Sequence, residues 1–245
     1  MQAPTRSTMV EIPNLGDWDM IVFDVDGTIL DFDGFHDDFV RLARRVNNEI
    51  MPVSIASGRT LPNITPILQS IGGSGFIVAE NGGVVWDSNN GHGILTLADG
   101  NRAKEAAEWL ATMIEDFDPK GIESNRWRES EWCLKENDKF EIIVDLLNQS
   151  EWSDLEVVPT GFAIHIVEPG IDKGNAIRIA LERRNIDTSR VIACGDARND
   201  ISMFNLVGLS VAVSGDIPEV VEAADILTLN RGKEGAVELL NSLLQ

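Results

Sequence analysis

Two carboxylates separated by one residue open the chemistry of this chain: Asp24 and Asp26, in Asp24-Val25-Asp26-Gly27-Thr28, directly follow the apolar run 20–23. A strand sends alternate side chains to opposite faces, so Asp24 and Asp26 leave the strand end on one side while Val25 turns into the core. Like charges so close repel, and a divalent cation or a shared proton relieves that cost. Gly27 permits a sharp turn, and the Thr28 hydroxyl can bond backbone or a phosphate oxygen. Acidic pairs also occur in plain β-turns; the apolar strand before this pair and the Gly-Thr after it favour a site.

Three further segments carry compatible chemistry. Ser57-Gly58-Arg59 ends a second apolar run ahead of a helical pattern. There a hydroxyl and free backbone N–H groups can hold phosphate oxygens, or Ser57 is merely a helix cap. Lys173, in the segment 170–174, precedes another helical pattern and can reach a phosphate as a mobile point charge, unless it is solvated surface. Gly195-Asp196-Ala197-Arg198-Asn199-Asp200 follows a further apolar run and adds two acids, Asp196 and Asp200, with Asn199 between them.

A shared sheet edge would bring these pieces together. Short apolar runs alternate with helical patterns, which predicts strands over 20–24, 52–57, 75–79, 191–195 and 209–213 and helices over 36–49, 61–71, 175–184, 218–223 and 234–243. That alternation is the signature of an α/β chain with a Rossmann-like, mostly parallel sheet. Ligands of such sheets bind beyond the carboxyl ends of the strands, where Asp24, Ser57, Glu80 and Asp196 would lie. Between 81 and 172 the pattern changes to strand, helix, an irregular Trp-rich stretch, helix and two strands around Thr160-Gly161. The expected division is a core of 1–82 and 170–245 and an inserted α+β cap of 83–169, with hinges at Gly82-Gly83 and Pro169-Gly170. Residues 89–93 read as a hairpin turn of the cap.

Composition bounds the partners. The 245 residues are 43% hydrophobic and 24% charged, with a formal net charge of -20. These proportions are those of a globular protein, and the acidity argues against nucleic acid or anionic membrane as a partner. Arginine outnumbers lysine, and such a surface also suits a salt-rich host. No apolar run reaches the roughly 20 residues of a membrane span, and 1–8 read as a disordered tail rather than a signal peptide. Cys133 and Cys194 match no metal or redox spacing, so a disulfide framework is not expected and the cytoplasm is the expected setting. Trp18, Trp86, Trp109, Trp132 and Trp152 are expected in the core or the core–cap seam. Asp31, Asp33, Asp37 and Asp38 are expected on a solvated surface.

Taken in order, the four segments resemble the haloacid dehalogenase-like superfamily of phosphohydrolases, over 20–243, with the insert where a C2-type cap sits. Glu80-Asn81-Gly82-Gly83, 125–129 and 161–173 bring archaeal-type phosphoglycolate phosphatases closest. The resemblance implies that Asp24 attacks phosphorus and forms an aspartyl-phosphate, and that Asp26 protonates the leaving alkoxide and then activates water. It implies Mg2+ held by Asp24, the main-chain carbonyl of Asp26, Asp196 and Asp200, with Asp200 alternatively orienting Lys173 or a metal-bound water. Ser57, the Gly58 amide and Lys173 would bind the phosphoryl oxygens, joined by Thr28 and Asn199. In the cap, Arg126 and Arg128 alternate around Trp127; on a strand they would share a face and could grip a carboxylate, or simply be solvated. His165 points away from Ile164 and Ile166, toward the cleft or into structural hydrogen bonds.

The expectation is therefore a Mg2+-dependent phosphatase of a small phosphorylated metabolite, with 2-phosphoglycolate leading, acting in carbohydrate metabolism as a monomer or homodimer. A phosphosugar phosphatase of the sucrose-phosphate or mannosyl-3-phosphoglycerate type and a catalytically silent phospho-ligand sensor are the alternatives.

Overall fold

A computed structural model describes residues 11–13, 17–91, 93–135, 139–160 and 163–245. The expected tail at 1–8, His92 of the expected hairpin turn, and Gly161 and Phe162 around the expected cap turn lie outside the described residues. No helix among the described residues is long and apolar enough to cross a membrane.

The chain runs through β1 (Met20–Phe23), a small hairpin of β2 (Leu30–Asp31) and β3 (Gly34–Phe35), α1 (Phe39–Glu49), β4 (Val53–Ala56), α2 (Leu61–Ser70) and β5 (Phe76–Ala79). It continues through β6 (Val84–Asp87), β7 (Ile94–Thr96), α3 (Gly100–Met113), β8 (Glu131–Lys135), α4 (Phe140–Asn148), β9 (Glu156–Pro159) and β10 (Ala163–Val167). It closes with α5 (Lys173–Arg184), β11 (Val191–Gly195), α6 (Ile201–Phe204), β12 (Leu209–Ala212), α7 (Pro218–Ala223), β13 (Ile226–Leu227) and α8 (Gly232–Leu243).

The main sheet has the order β13-β12-β11-β1-β4-β5-β6-β7, parallel from β13 to β5 and antiparallel at β6 and β7. Its central strands are buried along their whole length and almost entirely apolar because both faces are covered. Ile21 and Phe23 of β1 join the cluster beneath α1, α2 and α8, while Met20 and Val22 join the cluster beneath α5, α6 and α7. β1 pairs with β11 on one side and β4 on the other, so its carboxyl end is the place where the strand order reverses and a ligand crevice opens. Asp24 is the next residue.

The insert is an antiparallel sheet, β8-β10-β9, with α3 and α4 on one face. Leu134, Ile164 and Ile166 point to those helices, and Trp109, Trp132 and Trp152 pack there. Trp18 and Trp86 pack against the main core. Two expectations about the insert differ from the structure. The chain does not leave the main sheet at Gly82-Gly83: these residues reverse it into β6 and β7, so 84–96, including the 88–90 turn, belong to the core sheet. The Trp-rich stretch also contains a strand, β8, whose alternation of Glu131, Cys133 and Lys135 with Trp132 and Leu134 had a period of two.

Candidate active site

The two acids after β1 part company. Asp24 is buried at the strand end, its amide donating to the Cys194 carbonyl at 2.8 Å. Asp26, with a side chain 55% exposed, faces the cleft instead. Between them and Thr28 the backbone turns at Gly27, whose φ is +81° and whose missing Cβ would stand 2.5 Å from the Asp196 carboxylate. Only glycine meets both conditions. Thr28 is fully buried and its hydroxyl donates to Asp196 Oδ1 at 3.0 Å. The expectation that Thr28 binds substrate is corrected accordingly: the hydroxyl is spent on orienting an acid.

Lys173 is the first residue of α5, not a loop residue ahead of it, and Asp172 caps that helix by accepting from the Asn175 amide at 2.8 Å. The ammonium is wholly buried and donates to Asp24 Oδ1 and Asp200 Oδ1, each at 2.6 Å. Asp200 Oδ2 accepts from the amides of Asp196 and Ala197 at 2.9 and 3.0 Å, so both of its oxygens are engaged. Carboxylate oxygens of Asp24, Asp196 and Asp200 lie within 4.8 Å of one another.

Three acids against one lysine leave excess negative charge, and the titration of the group reflects it. Burial pushes Asp24 up to about 8, with Lys173 opposing and the Asp200 and Asp196 carboxylates adding to the rise. Burial and the Asp200 charge push Asp196 up to about 6, against the Thr28 hydrogen bond. Lys173 is raised although burial works the other way, because Asp200 and Asp24 both favour its charged form. Burial favours neutral forms and neighbouring charge favours the ion; here the outcome is a cluster with high affinity for a proton or another cation.

A cavity of about 810 Å³ lies over this cluster. Asp24, Asp26, Gly58, Arg59, Asn81 and Asn199 line it from the core, and Val158, Pro159 and Thr160 from the cap. Ser57 is buried beside it, its Oγ accepting from the Arg59 amide at 3.2 Å. Asn199 Nδ2 donates to Asn81 Oδ1 at 3.0 Å. Arg59 grips Asp26 as a fork, Nε to Oδ2 at 2.8 Å and the second bond from Nη2 to Oδ1. Sequence reasoning named the Ser57-Gly58-Arg59 segment but gave Arg59 no role; its partner lies 33 residues away and no local pattern marks it.

The cap arginines are not a shared-face pair. Residues 123–127 form a 3-10 helix instead of a strand, because Asn125 turns inward to bond the Lys120 and Cys133 carbonyls. Arg126 is exposed, pairing with Glu123 at 2.9 Å and stacking on Trp127, and it does not line the cavity. Arg128 is buried; it donates to Glu131 and, across the domain boundary, to the Gly58 carbonyl at 3.2 Å. Glu131 Oε2 also meets His165 Nδ1 at 2.8 Å, and His165 Nε2 meets the Thr160 hydroxyl at 3.0 Å. His165 is therefore a buried network residue one hydrogen bond removed from a cavity-lining hydroxyl. Burial works against the Glu131 charge, yet His165 and Arg128 hold its carboxyl below the usual range.

One more junction was missed from sequence. Glu80 and Asn81 both take left-handed backbone, φ 53° and 54°, rare for residues with side chains. The Glu80 carboxylate accepts from the amides of Glu129 and Ser130 and from the Ser130 hydroxyl at 2.7 Å. Burial raises its carboxyl above the usual range despite these bonds. Gly82 lies against Asp172, in the segment that returns from cap to core, and Gly83 against Ser130 of the cap.

A family model described as haloacid dehalogenase-like hydrolase matches residues 21–154 and 112–240. The chain belongs to the haloacid dehalogenase-like hydrolases. Among curated relatives, the phosphoglycolate phosphatase of Picrophilus torridus is 33% identical over 83% of this chain and 81% of its own length. That of Methanothermobacter thermautotrophicus is 31% identical over 91% and 98%. Among solved structures, a Thermoplasma acidophilum protein superposes with a TM-score of 0.82 at 19% identity, covering 93% of this chain and 98% of its own. A haloacid dehalogenase-like hydrolase of Bacteroides thetaiotaomicron does so at 0.78 and 21% identity, covering 91% and 98%. The two structures share the capped α/β fold.

Proposed function

We propose that this cleft hydrolyses small phosphomonoesters through an aspartyl-phosphate on Asp24, with 2-phosphoglycolate, cleaved to glycolate and phosphate, as the leading substrate. Family membership and the named relatives make the chain a phosphoric monoester hydrolase; the choice of substrate rests on those relatives alone. The observation that carries the mechanism is the Lys173 ammonium shared between Asp24 and Asp200 at the floor of the cavity. It holds the Asp24 carboxylate in one orientation beneath the space a phosphoryl group would enter, with Gly58 and Ser57 at the flank. Asp26, on the cavity wall, takes the acid–base role at the leaving oxygen.

Asp24, Asp196 and Asp200 fit a Mg2+ ion: hard oxygen donors that converge and carry uncompensated charge, with the Asp26 main-chain carbonyl completing the proposed set. Bound there, the ion would offset the carboxylates and stabilise charge on phosphoryl oxygens. Asp200, with both oxygens already engaged, serves first to orient Lys173. The setting proposed with this activity is the cytoplasm, in keeping with two free, buried thiols, and the proposed partner is one small phosphorylated metabolite for a monomer or homodimer.

A phosphosugar substrate is the second reading, and the cavity favours it: about 810 Å³ is more room than a two-carbon ester fills. Phosphate release from 2-phosphoglycolate, phosphosugars and an aryl phosphate, with Mg2+ or chelator, decides between them. Selective release from phosphoglycolate that disappears in Asp24→Asn supports the leading reading. Selective release from sugars moves the substrate and keeps the chemistry; silence on every ester leaves the phospho-ligand sensor. Activity that survives exhaustive chelation removes the Mg2+ assignment. Asp26→Asn should slow turnover by roughly 10²–10⁴.

A further inference from the structure

We propose that Arg59 is the residue that selects substrates with a carboxylate, and that it does so by exchanging Asp26 for the substrate's own carboxylate. The inference rests on the phosphoglycolate reading and adds how the enzyme would tell that ester from a neutral one. The cap arginines do not supply this recognition, since Arg126 is exposed away from the cavity and Arg128 is committed to Glu131. Among the described residues, two guanidinium groups line the cavity, Arg59 and Arg198. Arg198 is 66% exposed at its side chain and leans on Glu219 at 3.3 Å. Arg59 follows the Ser57-Gly58 segment directly, and its backbone is fixed by the amide bond to Ser57 Oγ.

The fork of Arg59 already shows what it can hold. Two parallel N–H donors meet the two oxygens of Asp26, the geometry in which arginine recognises any carboxylate. The pair is open to water, 36% and 55% exposed at the side chains, so the contact can be exchanged without uncovering a buried charge. While it persists, both oxygens of Asp26 are occupied and the residue cannot turn to the leaving oxygen of an ester. An incoming carboxylate replaces Asp26 on the same two donors, like for like. Binding the acid end of the substrate and releasing Asp26 become one event. A neutral alcohol in that position leaves Asp26 held. Discrimination then falls on the chemical step as well as on binding, because only the carboxylate ester frees the group that the transition state needs.

The test compares 2-phosphoglycolate with 2-hydroxyethyl phosphate, in which a neutral alcohol replaces the carboxylate, in the wild type, Arg59→Ala and Arg59→Lys. The wild type should prefer phosphoglycolate by at least about 10²-fold in kcat/KM, as sites built for a charged partner do. In Arg59→Ala the preference should fall below about tenfold, with phosphoglycolate turnover lost and hydroxyethyl phosphate turnover raised because Asp26 is released. Arg59→Lys, which keeps the charge without the fork, should fall between. Opposite movement of the two substrates is a result that general damage to the fold cannot produce, and the melting temperature of each variant checks folding directly. An equal loss on both esters, or an unchanged ratio, overturns the role of Arg59. A wild type that hydrolyses phosphosugars and not phosphoglycolate overturns the substrate reading, and this proposal with it.

Discussion

The core and the cap each hold a buried ionic cluster, and the two are balanced differently. In the core, Lys173 is shared by Asp24 and Asp200, with the Asp196 carboxylate close by; in the cap, Glu131 is met by Arg128 and His165. Both contain groups at metal-ligand spacing, since ligand atoms of Glu131, Cys133 and His165 also lie within 4.8 Å of one another. Spacing therefore does not separate them; charge does. The core cluster holds acids whose affinity for protons is raised by burial and by one another, whereas His165 and Arg128 hold Glu131 below its usual range against the effect of burial. An uncompensated cluster beneath a cavity is prepared for a ligand, and a compensated one ties β8 to β10 and to the core loop at Gly58.

That contrast can be broken most forcefully at Asp24. Asp24→Asn should cost at least roughly 10⁴-fold in kcat, the scale of removing a covalent nucleophile, while the melting temperature does not fall, because one excess buried carboxylate is gone. A large loss of stability would show that Asp24 is structural. At the cap cluster the opposite pattern is expected. Glu131→Ala strands the buried Arg128 guanidinium and should lower unfolding free energy by about 3–5 kcal/mol in denaturant titration. A loss under about 1 kcal/mol would mean that the pair is no more than a surface bridge.

Cation addition sharpens the comparison further. Saturating Mg2+ should stabilise the wild type by about 2.7 kcal/mol at a hundredfold excess over its dissociation constant, and Asp196→Asn by much less. Equal thermal shifts in both proteins would place the cation elsewhere. The smallest expected effect is in acid. Because Glu131 titrates below its ordinary 4.5 in the folded protein, its contribution is complete at neutral pH and is lost as pH falls through the folded value. Glu131→Gln should therefore be less stable than wild type at pH 7 and converge with it as pH falls through that lowered folded value. Parallel stability curves would remove the linkage.

Much of the core site was legible because its residues sit where local patterns change. Asp24, Ser57, Glu80 and Asp196 each follow an apolar run, so a strand-end rule places all four at one edge, and Lys173 was noticed ahead of a helical pattern. The rest depends on pairings that no short segment encodes. Gly82-Gly83 reads the same whether the chain leaves a sheet or doubles back along it, and only the pairing of Val84 with Ala79 distinguishes these. Arg128 was noticed for its spacing from Arg126, but Asn125 bends that segment into a turn and directs the two apart. Thr28 was read toward a phosphate, and only the fold brings Asp196 to its hydroxyl. The alternation in β8 was present in the sequence, obscured by the tryptophan-rich turn before it.

Glu80 has a mechanical consequence. A lid joined by two loose cords could slide or lift in any direction. This one is fastened where the Glu80 carboxylate holds the chain entering β8 and Gly82 abuts the chain leading from β10 to α5, and again where Arg128 donates to the Gly58 carbonyl. Any tilt about these fastenings would move the parts of the cap most distant from them the furthest. β9 is the outermost strand from β8 in the cap sheet, and it carries Val158 and Pro159 at the rim of the cavity. The position of that one edge would then set how large a molecule can enter.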